Sequence, residues 1–197
     1  MGAVSGHSGS SDDVSNATDR ALLAHIRSIS DVIVTTAATA RAEHLRPSKF
    51  APMVVLTQSG ELHGLESLLS STSELKPIVV VPSHQLAKAR DQLLQAGQNA
   101  EVVGLLDLSP NQVIDFLNDQ GFVKILLEGG PKLLASWTGN EAIDELCLTT
   151  TGLSTQPLSP GEPELFSLLG IVKPKLQSDI FFDSISTRFQ QFDLRPN

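Results

Sequence analysis

The sequence predicts an α/β fold, with a mostly parallel sheet, helices on both faces and a C-terminal antiparallel hairpin. Three observations carry this reading. Val32–Thr36, Met53–Thr57, Ile78–Val81, Ala100–Leu105 and Val123–Leu127 are short, largely continuous apolar runs. Such runs mark strands covered on both faces, as in a parallel sheet. Stretches with helical spacing separate most of them, which gives a β-α-β rhythm. After residue 140 the rhythm changes to strands in succession, weighted with Phe181, Phe182, Phe189 and Phe192.

Each element has a local reason. Residues 1–16 are rich in Ser, Gly and Asp and read as an arm or surface loop. Asn16 suits a helix cap and Asp19 its first turn, and Leu22, Ile26 and Ile29 follow at helical spacing. Val32–Thr36 is a β-branched strand. Ala37 to Glu43 is small and then helix-friendly, and Pro47 to Pro52 is a connection. Met53–Thr57 is the second strand, stopped by Ser59-Gly60, with a short helix expected around Leu65 to Leu69. Ile78–Val81 is the third strand, held between two prolines. The next helix, Gln85 to Gln95, carries Leu86, Leu93 and Leu94, with Gly97 at its C-terminal end. Ala100–Leu105 is the fourth strand. Pro110 opens a helix that turns Val113, Ile114 and Leu117 inward, and Gly121 ends it. Val123–Leu127 is the fifth strand. Glu145–Thr151 is a strand, 152–163 is loop-like, and 171–192 reads as two strands joining the sheet edge. The 197 residues suit one domain.

Composition excludes several classes. A net charge of -8 argues against a nucleic-acid surface. No apolar run approaches the ~20 residues of a membrane span, and the N-terminus lacks the basic and apolar regions of a signal peptide. The single cysteine allows no internal disulfide and suits the cytoplasm. Cys147, between Leu146 and Leu148, reads as a small buried hydrophobe. The scattered histidines have no zinc spacing, so no metal is expected. There is no tyrosine to act as an acid, and no G-x-S-x-G elbow for a serine hydrolase.

The chemistry concentrates in Val123-Lys124-Ile125-Leu126-Leu127-Glu128-Gly129-Gly130-Pro131-Lys132. A strand runs into two glycines, and a proline then opens a helix. Glycine lets backbone approach a ligand closely. Free N–H groups at a helix start favour phosphate, and strand carboxyl ends are where open parallel sheets bind ligands. A plain strand-to-helix turn accounts for the same residues equally well. Lys132 sits in a first helical turn, where a cation is unfavourable; this adds weight to a ligand-facing role, with a solvated lysine as the default reading. Glu128 has two readings, a ribose or amide acceptor and a structural carboxylate. Asp144 and Glu145 are adjacent on a strand, so they face opposite ways and form no acid pair.

With these residues in view the chain resembles the reductase domain of the riboflavin-biosynthesis deaminase–reductases, a pyrimidine reductase family with a dihydrofolate reductase-like fold. Glu128-Gly129-Gly130-Pro131 and Ile143-Asp144-Glu145-Leu146 match the family's acidic-Gly-Gly-Pro and Val-Asp-Glu-Leu segments. Arg27 to Glu43 matches R-x-x-A-D-x-x-L-V-G-A-G-T-x-R-A-E, and Ser5 to Ser11 resembles the Gly/Ser loop before the first helix. The resemblance spans residues 2–192.

It implies hydride transfer from NADPH, with NADH as the alternative, to a pyrimidine ribosyl phosphate. It also implies a homodimer. The cofactor-binding residues it implies are Thr36, Thr39, Thr57, Glu128, Gly129, Gly130, Pro131 and Lys132, and the substrate-binding ones are Ser8, Arg41 and Glu43. No catalytic acid stands out. Two departures favour a second reading, a catalytically impaired member that binds a nucleotide or serves as a dimeric interaction protein: Thr36 and Ala38 replace two glycines, and the chain starts near the end of the family's first strand, at Gly2. Gln58 also departs, replacing an arginine suited to an extra phosphate.

Overall fold

The computed structural model describes residues 15–70, 74–151, 161–172 and 174–195. Its elements run α1 (Ala17–Ser28), β1 (Val32–Thr36), α2 (Ala37–Ala42), β2 (Met53–Leu56), α3 (Glu66–Leu69), β3 (Ile78–Pro82), α4 (Leu86–Ala96), β4 (Glu101–Leu105), α5 (Pro110–Asp119), β5 (Ile125–Leu127), α6 (Pro131–Thr138), β6 (Glu145–Thr151), α7 (Gly161–Leu169), β7 (Lys175–Phe182) and β8 (Thr187–Asp193). They divide between two compact units. One is Arg20–Gly130; the other takes in the chain from Pro131 onward with Ser15–Asp19.

The first unit holds a five-stranded sheet, all parallel, in the order β4-β3-β2-β1-β5. On one face Ile33, Met53, Val55, Val79, Val81 and Val102 form a core with Ala37 and Ala40 of α2, Leu68 and Leu69 of α3, and Ala89 and Leu93 of α4. On the other face Val32, Val34, Val54 and Val80 are just as inaccessible, and α5 buries Val113 and Leu117. Two covered faces explain why these strands read as unbroken apolar runs. Each such side chain taken wholly out of water contributes ~1.5–3 kcal/mol.

One group in this core is out of place. Thr35 is fully buried, and its hydroxyl has no hydrogen-bond partner. An unpaired hydroxyl in an apolar interior costs about 1–3 kcal/mol. Thr35→Val keeps the shape and removes the orphan. It should therefore raise stability by ~1–2 kcal/mol in urea unfolding. A loss of stability would show that the hydroxyl has a partner in solution.

Local signals govern the helix ends. The Asn16 carboxamide oxygen accepts from the backbone N–H groups of Thr18 and Asp19, each at 3.0 Å. Gly97 closes α4 in the left-handed region at φ 61°, which glycine adopts without strain. Pro110 is the first residue of α5.

Some expectations need correction. β5 begins at Ile125 rather than Val123, because the Asp31 carboxylate accepts from the N–H groups of Val123 and Lys124. Leu94 is exposed and leaves Leu93 as the buried residue of that helical turn. Ile29 lies beyond the end of α1 and is also exposed.

The second unit holds an antiparallel sheet in the order β6-β8-β7. The C-terminal hairpin forms as expected, but it pairs with β6 and not with the parallel sheet. Residues 161–169 form α7, although the sequence reads as loop through 163. Tertiary contacts supply what local pattern does not. Phe166 packs edge-on against Phe192 with centroids 5.0 Å apart, and the Thr138 hydroxyl donates to the Leu169 carbonyl. Cys147 is exposed, not buried, because it lies on the same face of β6 as Glu145. Partial desolvation and then the Glu145 charge raise its thiol pKa, so it is no activated nucleophile. No helix among the described residues is long and apolar enough to cross a membrane.

Candidate active site

The candidate site of the first unit is built at the carboxyl ends of three adjacent strands, β2, β1 and β5. Thr36 is the last residue of β1, and Thr57 and Glu128 directly follow β2 and β5. The ladder continues past the strand ends. Thr57 N–H donates to the Val80 carbonyl at 3.1 Å, and Glu128 N–H to the Val34 carbonyl at 2.8 Å. With Val34 opposite Leu127, the parallel register carries Gly129 and Gly130 to the same end of the sheet as Thr36.

Thr36 is extended and caps α2. Its hydroxyl oxygen accepts from the Thr39 N–H at 3.1 Å and lies 3.0 Å from the Thr39 hydroxyl. The Thr36 hydroxyl thus folds back onto the chain. Ala38, the second replacement, is exposed, as is Gln58. Thr57 is buried.

The glycine turn leaves room. A Cβ built on Gly130 meets no atom within 4 Å, so the backbone there borders open space. Backbone of this kind can be approached by an anionic or planar ligand, and a side chain would fill the space. Thr36, Thr57 and the glycine turn thus share one end of the sheet, with Thr39 in the first turn of α2.

Glu128 is engaged within the protein. Its two carboxylate oxygens accept from Arg27 Nε at 2.7 Å and Nη2 at 2.6 Å. This pair raises the arginine pKa further above its ordinary value. Asp31 behaves similarly at the other end of β5. The N–H groups of Lys124 and Val123 hold its carboxyl below the usual aspartate range.

The other expected residues are dispersed. The Arg41 guanidinium, on α2, donates to the carbonyls of His63 and Glu61, each at 2.6 Å, which ties it to the loop after β2. Glu43 caps the C-terminus of α2 through its N–H. Pro131 and Lys132 open α6 in the second unit, with Lys132 exposed. Ser8 lies outside the described residues. No cluster of three or more His, Cys, Asp or Glu residues suited to a metal occurs among the described residues. Sequence reasoning assigned no role to Arg27 and Asp31. Their partners lie 101 and more than 90 positions away, beyond any local pattern.

Residues 2–179 match the profile of the RibD C-terminal domain. The chain belongs to that family. No curated protein matches the sequence. Among solved structures the RibD-type domain is similar to a pyrimidine reductase-like protein from Corynebacterium diphtheriae. The two share 22% identity at a TM-score of 0.75, over 98% of this chain and 87% of that one. A Thermotoga maritima diaminohydroxyphosphoribosylaminopyrimidine deaminase/5-amino-6-(5-phosphoribosylamino)uracil reductase matches at 15% identity and a TM-score of 0.68. That match covers 98% of this chain but 53% of the other, so this chain spans about half its length. The Saccharomyces Riboflavin Biosynthesis Reductase Rib7 matches at 13% identity and a TM-score of 0.60, over 91% of this chain and 82% of that one. The fold is therefore the dihydrofolate reductase-like one of the RibD reductases, a parallel sheet with helices plus a small antiparallel sheet.

Proposed function

We propose that this RibD-type domain is an NADPH-dependent pyrimidine reductase of riboflavin biosynthesis, acting on 5-amino-6-(5-phosphoribosylamino)uracil in the cytoplasm. Residues 1–197 then work as one reductase-like domain. The observation that carries the reading is the open backbone at Gly130, at the carboxyl end of parallel strands in a reductase-family fold. A reduced nicotinamide would supply the hydride. The residues of this chain would hold and orient it: Gly129 and Gly130 by backbone approach, Thr39 and Thr57 by hydroxyl contacts, with Thr36 shaping the turn into α2. Lys132 is the cation closest in sequence to the turn and would serve a phosphate.

The test is titration with NADPH and NADH, followed by nicotinamide fluorescence, and then NADPH oxidation in the presence of the pyrimidine substrate. Binding with turnover is expected. If neither cofactor binds at millimolar concentration, the reductase reading fails. Binding without turnover would fit the impaired-member reading, which Thr36 and Ala38 at the glycine positions favour.

We also infer a homodimer. Seven of the eight residues of β7 are exposed, and its outer edge pairs with no strand among the described residues. Leu176, Ile180, Phe181 and Phe182 lie along it, all exposed. Edges this long and apolar invite another strand. The run is self-complementary. Antiparallel pairing centred on Phe181 sets Phe181 against its own copy on one face, and Ile180 against Phe182 of the second copy on the other.

A further inference from the structure

We propose that Arg27 and Asp31 are a pair of positioning residues that set where β5, and with it the Gly129-Gly130 turn, lies against β1. The ligand consequence rests on the reductase reading above; the positioning itself does not.

The need for such a device follows from β5 itself. It has three residues, none of them fully buried, and among the described residues it pairs with β1 alone, through Val32–Ile125, Ile33–Leu126 and Val34–Leu127. The two glycines that follow impose little conformation of their own. A short edge strand leading into a flexible dipeptide leaves the turn poorly placed unless something else holds it.

Arg27 in the last turn of α1 and Asp31 just before β1 hold it at its two ends. At the entry, Asp31 Oδ2 accepts from Val123 N–H at 2.9 Å and from Lys124 N–H at 2.8 Å. The Asp31 N–H donates in return to the Lys124 carbonyl at 2.8 Å, which closes a reciprocal set of bonds. At the exit, Arg27 grips both oxygens of Glu128, the residue immediately before Gly129. The side chains of Arg27 and Glu128 are 26% and 15% exposed, so water screens this pair less than an open surface pair. A bidentate fork fixes orientation as well as distance. Each oxygen of Glu128 accepts a charge-assisted bond from Arg27, which ties the strand end to α1.

The test exchanges the two charges. Arg27→Glu and Glu128→Arg are made singly and together, with Arg27→Lys as a milder variant that keeps the charge and loses the fork. Amide exchange at Glu128 and NMR order parameters at Gly129 and Gly130 read the position of the turn without any ligand. NADPH titration reads the consequence for binding. Each single exchange should raise Glu128 amide exchange about tenfold or more, as expected when charge-assisted hydrogen bonds are lost. It should also lower the glycine order parameters and weaken NADPH by a similar factor, while β2 and β3 amides stay protected. The double exchange should restore all three readouts, and Arg27→Lys should fall between. Asp31→Ala should raise exchange at Val123 and Lys124 in the same way. If the singles fail to fold, Arg27→Lys and Arg27→Gln report on the same amides.

Unchanged exchange and order parameters in the folded variants would overturn the proposal. Restored exchange without restored NADPH binding would also overturn it, by showing that Glu128 touches the ligand itself. A wild-type protein that binds no NADPH, yet shows the exchange pattern and its rescue, would sink the reductase reading and leave the positioning pair standing.

Discussion

A Gly130→Val protein should keep its circular dichroism spectrum and lose its affinity for the nicotinamide cofactor. The fold tolerates the change because an added Cβ meets nothing within 4 Å, and Gly130 is not among the residues with a positive φ. The proposed cofactor site would not tolerate it, because a branched side chain would then occupy the space beside the backbone that a phosphate would approach. A loss of at least about a hundredfold in Kd is expected, a little under 3 kcal/mol at tenfold per 1.4 kcal/mol. Gly104 provides the contrast. A Cβ there would lie 3.2 Å from the Cα of Ser83, so Gly104→Val should damage the fold and leave no clean binding result. If the wild type binds NADPH and Gly130→Val binds it equally well, the cofactor lies elsewhere on the protein.

The second large effect is expected at β7. Phe181→Glu places like charges face to face at the centre of the proposed strand pair, in a patch otherwise made of Ile180 and Phe182. Central aromatic residues of such patches carry much of the association energy, often 2 kcal/mol or more each. The variant should sediment as a monomer at concentrations where the wild type is a dimer. Because Phe181 is exposed in the single chain, the unfolding midpoint should barely move at concentrations where both proteins are monomeric. A wild-type protein that sediments as a monomer at high concentration would remove the dimer altogether.

The parallel strands were legible because each signals itself. Val32–Thr36 and Ile78–Val81 are β-branched without interruption, and both of their faces are buried. Pro110, Gly97 and Asn16 mark helix ends through chemistry confined to a few neighbouring residues. What escaped depends on distant partners. α7 forms with Gly161 and Pro163 in its first turn, supported by contacts from Thr138 and Phe192. The late start of β5 comes from the carboxylate of Asp31. In the candidate site, Gly129 and Gly130 were conspicuous as a doublet after an apolar run. The Thr36 hydroxyl caps α2, and the Arg41 guanidinium donates to carbonyls of the loop after β2. Neither arrangement leaves a trace in residue spacing.

The strand order β4-β3-β2-β1-β5 also has a kinetic meaning. The strands β1, β2 and β3 each pair with the strand next in sequence, so the sheet can grow outward from β1 to β4 as the chain emerges. β5 is different. It returns to the other edge of β1 after more than ninety residues, as the pairing of Val32 with Ile125 shows. Closing a longer loop costs more entropy, and pairings of large sequence separation form slowly. The strand that carries the glycine turn should therefore dock late, onto four strands already assembled. The same reasoning runs in reverse under mild denaturant. β5 should detach as a low-energy opening while β2 and β3 remain protected, so binding competence would disappear before the sheet does.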